Sequence, residues 1–366
     1  METKERGGAV FILEVAGKMK SISIRVNIEP EADRKKIVQA AEMLPAATPR
    51  FIEASWSANE NDLDIRLTAY NSDIDHFLHD VSLNYKIAPN KDESSQFANG
   101  SLQPAWLKDL DPQTAFFFVV STTHGHAFAN FDLSRAGTLL TPILSALQKA
   151  RFGWLQVGWY ERNLTAYFND LSQRMASRYY YIDSPVTKVR KVKDEKGRTK
   201  HESYTANHPD KHKEFHTHYK RLSEHLSTKA AAKHVVTIIR GVTQPFVDLS
   251  GTKSINDVAM PFSVLTSEGS VGEHLTTYYY RDPRILLDLC GRRVIEPAEP
   301  MKAYVSSYLS KWRARENLPF LILSPSELSL FVHLPEATKL WGLRTTRVSD
   351  LPQTSLPQRE GIVIAR

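Results

Sequence analysis

Strand-sized apolar runs alternating with amphipathic helical segments constrain this chain more than any other feature, because they fix its fold class. Val10–Val15 and Ile22–Val26 are rich in β-branched residues and read as strands. Pro30 and Glu31 open a helix, with proline and acids in its first turn. Ile37, Ala40, Ala41 and Leu44 give that helix one apolar face. Phe51–Trp56 and Leu63–Tyr70 read as strands around the turn Asn59–Asp62; in the second, Leu63, Ile65 and Leu67 alternate with Asp64, Arg66 and Thr68. Asp73–Tyr85 reads as a helix. The order β-α-β-β-α over residues 1–90 predicts a ferredoxin-like, split βαβ module. Residues 91–114 read as a linker, polar from Lys91 to Gly100.

A second α+β module is expected over residues 115–320. Phe116–Ser121, Gly153–Trp159, Val235–Arg240 and Leu275–Tyr280 read as its strands. Leu139–Leu147, Leu164–Ala176, Ser254–Leu265 and Met301–Arg315 read as its helices. A basic, His-rich insertion occupies 185–233. Residues 321–366 read as a short strand, a helix at Ser326–Val332 and a Pro-interrupted extended tail. The fold class is therefore α+β, with ferredoxin-like split βαβ modules, antiparallel or mixed sheets, a basic insertion and an extended C-terminal tail. The two halves share a strand–helix–strand rhythm, without a sequence repeat strong enough to call an array.

Composition narrows the function classes. The chain has 366 residues and a single cysteine, Cys290, which excludes a disulfide framework and any multi-cysteine zinc or iron–sulfur site. No apolar run reaches the roughly 20 residues of a membrane-spanning helix. The mixed-charge N-terminus lacks a signal-peptide pattern, so the expected location is cytoplasmic, with peripheral contact at the inner face of a membrane left open. Thr187–Arg221 contains eleven Lys or Arg and five Asp or Glu, which equals the net charge of +6 carried by the whole chain.

No complete catalytic motif is present. At Gly17-Lys18 and at Gly251-Thr252-Lys253-Ser254 the spacing and order of a phosphate-cradling P-loop fail. Ile285-Leu286-Leu287-Asp288 resembles a strand ending in a metal-binding Asp, but follows Pro283 and reads as a helix face. No nucleophile elbow occurs. His212 and His216 share a helical face at a spacing that can bind zinc, as do His218 and His225 seven apart. No cysteine or well-spaced carboxylate completes a ligand set, and a wet, cationic helix is the competing reading. His124 and His126 lie in a polar turn without a nameable partner. The expectation is a protein that is not an enzyme and has no metal or cofactor.

The basic stretch carries the clearest binding pattern. Lys188, Arg190, Lys191, Lys193, Lys196, Arg198 and Lys200 surround Asp194-Glu195-Lys196-Gly197, which reads as a hairpin turn. Val186–Lys193 reads as one strand and Arg198–Tyr204 as the return. A projecting basic hairpin can bind nucleic-acid phosphate, and Tyr179, Tyr180 and Tyr181 can stack on bases. A solvated hairpin with tyrosines packed at its root is the alternative, since lysine also blunts strand edges.

The block from Leu321 to Glu336 resembles a signature in the non-motor N-terminal region of conjugative type IV secretion ATPases, members of the HerA/FtsK superfamily of DNA-transfer motors. Leu323, Glu327, Leu328, Leu330, His333, Leu334 and Pro335 match it. Leu139–Leu147 with Gly153–Val157, and Val235–Gly241, are similar to a helix and strands of that family; Glu53 and Leu63–Tyr85 fit its first module loosely. A Ser-capped helix, with Ser324 or Ser326 at the N-cap, explains part of the block. The family's catalytic parts lie in the motor domain, absent here, so no ATP-site residue carries over. The resemblance implies a non-catalytic assembly or adaptor component. Its implied partners are a HerA-like ATPase, a secretion-channel component or further copies of itself, with the matched block as family signature or interface. An independent nucleic-acid-binding protein using residues 187–200 is the alternative.

Overall fold

The computed structural model describes residues 12–13, 19–27, 34–85, 87–89, 101–122, 140–208, 211, 214–246, 275–280, 284–295, 320–334, 339–343 and 345–346. The elements of the first half are β1 (Ile12–Leu13), β2 (Met19–Asn27), α1 (Arg34–Ala41), β3 (Arg50–Ser57), β4 (Asp62–Tyr70), α2 (Ile74–Tyr85) and β5 (Ala88–Pro89). A short 3-10 helix, Ala105–Asp109, precedes β6 (Phe116–Thr122), α3 (Leu140–Leu147), β7 (Phe152–Glu161), α4 (Thr165–Asp183), β8 (Val186–Lys193) and β9 (Thr199–Ala206). Then follow α5 (Glu214–Ala231), β10 (Val235–Gln244), β11 (Leu275–Tyr280), α6 (Arg284–Gly291), β12 (Val294–Ile295), β13 (Leu321–Leu323), α7 (Pro325–Val332) and β14 (Thr345–Thr346). The fold is α+β.

One large sheet contains strands from both halves, in the order β11-β6-β10-β7-β3-β4-β2, with β5 and β14 added to β2 and β13 added to β10. All its described pairings are antiparallel except β14 on β2. Numbered within its own half, β2-β3-β4-β5 lies in the spatial order 4-1-3-2, and so does β6-β7-β10-β11. The halves join through their second strands, β3 and β7, with Glu53 opposite Gln156. Arg66 faces Glu53 from β4, and Arg240 faces Gln156 from β10. An approximate local two-fold axis therefore passes between Glu53 and Gln156. The duplication is hidden in the sequence because the two copies differ where second strand meets third. In the first half a tight turn at 58–61 joins them. In the second half α4, the β8–β9 hairpin and α5 intervene.

Alternation along the strands divides the side chains between two covered faces. Leu63, Ile65 and Leu67 of β4 pack with Leu155, Val157 and Trp159 of β7 beneath α1, α2, α3 and α7. Phe51, Tyr160, Val236 and Ile238 turn to the other face, beneath α4 and α5. Trp154, Phe152 and Val242 lie on that same face beneath α6 and the 3-10 helix. The strands approach closely at the centre: a Cβ on Gly241 would stand 2.4 Å from the Trp154 carbonyl oxygen. Arg50 ties α2 to the sheet. It donates to Asp73 at 2.7 and 2.8 Å, to Asp80 at 2.9 Å and to the Leu44 carbonyl at 3.2 Å. Those bonds hold the Asp73 carboxyl below its ordinary range.

The helix expected at Leu164–Ala176 continues to Asp183, carrying Tyr179, Tyr180 and Tyr181 on its last turns. Ile182, fully buried against α5, rewards the extension. Ile285–Asp288 lies in α6, in agreement with the helical reading. The expected helices Ser254–Leu265 and Met301–Arg315 lie outside the described residues, as does the tail beyond Thr346.

Candidate nucleic-acid interface

The β8–β9 hairpin projects from the far end of the α4–α5 helix pair. Residues 187–193 and 195–205 are all exposed, so this ribbon contributes almost nothing to the core. Its turn is locally determined. Asp194 accepts from the backbone N–H groups of Lys196 (3.0 Å) and Arg198 (2.8 Å), and Gly197 supplies the required positive φ of 74°. Eight register pairs, from Val186–Ala206 to Lys193–Thr199, follow without a bulge.

The pleat gives the ribbon two chemically different faces. One carries Lys188, Arg190, Val192, Lys200, Glu202 and Tyr204. There the Arg190 guanidinium donates to Glu202 at 2.8 and 3.0 Å and lies 5.5 Å from the Tyr204 ring centroid. The other face carries Lys191, Lys193 and His201 with Thr187, Val189, Thr199, Ser203 and Thr205, and no carboxylate. At the tip, Arg198 Nε donates to Asp194 at 3.2 Å. Of the seven cationic residues expected to bind phosphate, all stand on this ribbon. Arg190 and Arg198 are held by local carboxylates. Lys188, Lys191, Lys193, Lys196 and Lys200 have no carboxylate partner among the described residues.

Sequence reasoning missed a second basic element. An open groove of about 590 Å³ runs along α4, lined by Asp170, Arg174, Ser177, Arg178, Tyr181 and Tyr219 among others. Arg174 and Arg178 are one helical turn apart, and that spacing just before the tyrosine run was the available signal. Arg174 donates to Asp170 at 2.9 Å, and the Arg178 guanidinium lies 5.6 Å from the Tyr181 ring centroid. Tyr180 is 66% exposed and Tyr181 60% exposed; Tyr181 also meets His208 edge-on at 5.2 Å.

The histidines divide. His212 lies outside the described residues, and the side chains of His216 and His218 do so as well; so do His124 and His126. Among the described residues no group of three or more His, Cys, Asp or Glu could hold a metal ion. His225 is pushed down to about 4, first by burial and then by the Lys229 charge. His234 is also lowered by burial, although its bond to the Lys229 carbonyl acts in the opposite direction. Both are neutral in the folded protein at pH 7, so the stability they carry is complete above about pH 6.5, the ordinary histidine value. It is lost as pH falls below that value, for His225 through about 4. Thermal unfolding should show a falling midpoint across that window, with a shallower fall in His225→Leu; identical pH slopes would refute this account.

A buried polar network lies at the pseudo-two-fold axis. Arg292 donates to Glu53 at 2.8 Å and to the carbonyls of Cys290 (3.1 Å) and Leu102. Gln156 donates to the other Glu53 oxygen at 2.6 Å and accepts from Arg240 Nε at 2.7 Å. Thr68 bridges Glu53 (3.3 Å) and Ser21 (2.9 Å), and beyond it Ser23 donates to Asp64. Burial lowers Arg240 to about 10. Glu53, Gln156, Arg240 and Arg292 are each at most 4% exposed, so the network holds the core together.

The family-signature residues are likewise interior. Leu323, Glu327, Leu328, Leu330, His333 and Leu334 are all at most 5% exposed, and Pro335 lies outside the described residues. Leu323 pairs with Val235 on β10, and Leu328, Leu330 and Leu334 join the core beneath α1 and α3. Ser324 is the N-cap of α7: its hydroxyl accepts from Glu327 N–H at 3.3 Å, and the Glu327 carboxylate accepts from Ser324 N–H at 2.6 Å. Among the described residues no helix is long and apolar enough to cross a membrane. No protein-family model matches the chain, and comparison with curated proteins finds no significant match.

Proposed function

We propose that this chain is a non-catalytic adaptor of DNA-transfer machinery that grips nucleic-acid phosphate with the β8–β9 arm. The observation that carries the reading is one ribbon face bearing Lys191, Lys193 and His201 in solvent with no carboxylate beside them. A solvated arm that served only to blunt an edge would gain nothing from carrying seven Lys or Arg against three Asp or Glu between Val186 and Ala206. Placing the arm at the end of the packed α4–α5 helix pair gives it reach, and cationic ribbons of this kind bind by releasing counterions from phosphate. The machinery is inferred from the Leu323–Pro335 resemblance, which also implies a HerA-like ATPase as partner.

Fluorescence anisotropy with a labelled 20-nucleotide strand and its duplex tests the reading. The combined Lys188→Gln, Lys191→Gln, Lys193→Gln and Lys200→Gln variant should bind at least about tenfold more weakly. Its log–log salt dependence should be shallower by about 3, since each phosphate contact contributes about 0.7–0.9. Unchanged binding in the variant overturns the reading. So does failure to bind either oligonucleotide, with or without binding to anionic vesicles.

A further inference from the structure

The arm accounts for affinity to phosphate in general, but the surface at its root has a different chemistry. Tyr180 and Tyr181 close α4 only a few residues before β8 begins at Val186. Both residues are more exposed than buried, at 66% and 60%, with the Tyr180 ring meeting Tyr179 edge-on at 5.5 Å. Burying such rings would be favourable, yet these two remain in water beside the strongest positive charge of the chain. Tyr181 is also flanked by the Arg178 guanidinium at 5.6 Å. Arg174 continues the line of charge along the groove, where Asp170 offsets one of the two cations.

We infer that the α4 groove and the two tyrosines form a stacking site for unpaired bases, so that the arm's partner is single-stranded nucleic acid. The inference rests on the phosphate-gripping role proposed for the arm and specifies its substrate. Aromatic side chains can stack only on a base whose face is uncovered, and in a duplex the neighbouring base pairs cover it. Cations alternating with aromatic rings along a groove are what a single strand requires: phosphate on the guanidinium and lysine side, base on the ring side. Arg178 serves both, because a guanidinium over a ring extends the stacking surface. A two-stranded ribbon also fits a B-form major groove, so duplex binding by the arm is the competing geometry. Such docking would leave Tyr180 and Tyr181 unused.

The full chain is titrated with a fluorescein-labelled 20-nucleotide oligothymidine and with a duplex of equal length, at two salt concentrations. Single strand is expected to bind tighter. The Tyr180→Ala, Tyr181→Ala double variant should weaken single-strand binding by about tenfold or more, because stacking on each ring contributes directly to affinity. The salt dependence should stay unchanged, since no charge is removed. Tyr180→Phe with Tyr181→Phe should restore single-strand affinity, and unchanged thermal midpoints would confirm that both exposed substitutions leave the fold intact. Equal or tighter binding to duplex, or single-strand affinity indifferent to the tyrosine pair, overturns the stacking site while leaving the phosphate-gripping arm standing. Loss of binding to both probes in the lysine variant, with the tyrosine variant unaffected, overturns the stacking site in the same way. Absence of binding to either probe by the unmodified chain removes both proposals.

Discussion

Glu53→Ala is expected to lower the free energy of unfolding by about 3–5 kcal/mol, the usual consequence of removing one partner of a buried ion pair. Glu53 sits on the sheet axis and accepts from Arg292 at 2.8 Å and Gln156 at 2.6 Å. Arg66 stands opposite it on β4, and Arg240 stands on the other side, across Gln156 on β10; both are lowered by burial. Alanine would leave Arg292, fully buried, without the carboxylate that offsets its desolvation. Glu53→Gln keeps the shape and one acceptor, so its cost should be smaller. A combined Glu53→Met, Arg292→Met variant should recover part of the loss, because two apolar side chains leave no stranded charge. Urea unfolding followed by far-UV circular dichroism reads all three. A Glu53→Ala midpoint equal to that of the unmodified chain would show that the network contributes nothing to stability.

Lys229→Ala is expected to cost a comparable amount, at a second place where α5 meets α7. The Lys229 ammonium is buried at 5% exposure, bonded to the Glu327 carboxylate and to the Ile322 carbonyl at 3.0 Å. Removing it strands the Glu327 carboxylate at 7% exposure, with the Ser324 N–H still donating to it. The breakage of such a pair costs about 3–5 kcal/mol. Ser324→Ala removes only the cap hydroxyl and should cost about 1 kcal/mol. The two variants should therefore separate clearly in the same denaturation experiment. If Lys229→Ala proved no worse than Ser324→Ala, the ion pair would be irrelevant to holding α7 against the sheet.

The contrast between these two sites and the arm shows how far the sequence could be read. Local periodicity exposed most elements: alternating Leu63, Ile65 and Leu67 made β4 legible, and helical spacing made α1 and α2 legible. The arm was fully legible, because a hairpin with Asp194 and Gly197 at its turn is determined within about a dozen residues, without help from the core. The α7 cap was legible for the same reason, although only the structure selected Ser324 over Ser326. Glu327 was readable as a first-turn acid, but not as the counter-charge to Lys229, which is distant in the chain.

By itself the sequence determined the α+β class, the turn of the basic arm, and the concentration of positive charge on it. Each of these depends on residues near one another along the chain, where periodicity and turn chemistry operate. Only the tertiary structure decided that the two halves share one sheet and one strand order, related by a pseudo-two-fold axis. It also brought Glu53, Gln156, Arg240 and Arg292 into a single buried network and drew the Leu323–Leu334 block into the core. Strand pairing and ion pairing join residues far apart in sequence, and no local pattern encodes which distant partner a strand or a charge will meet.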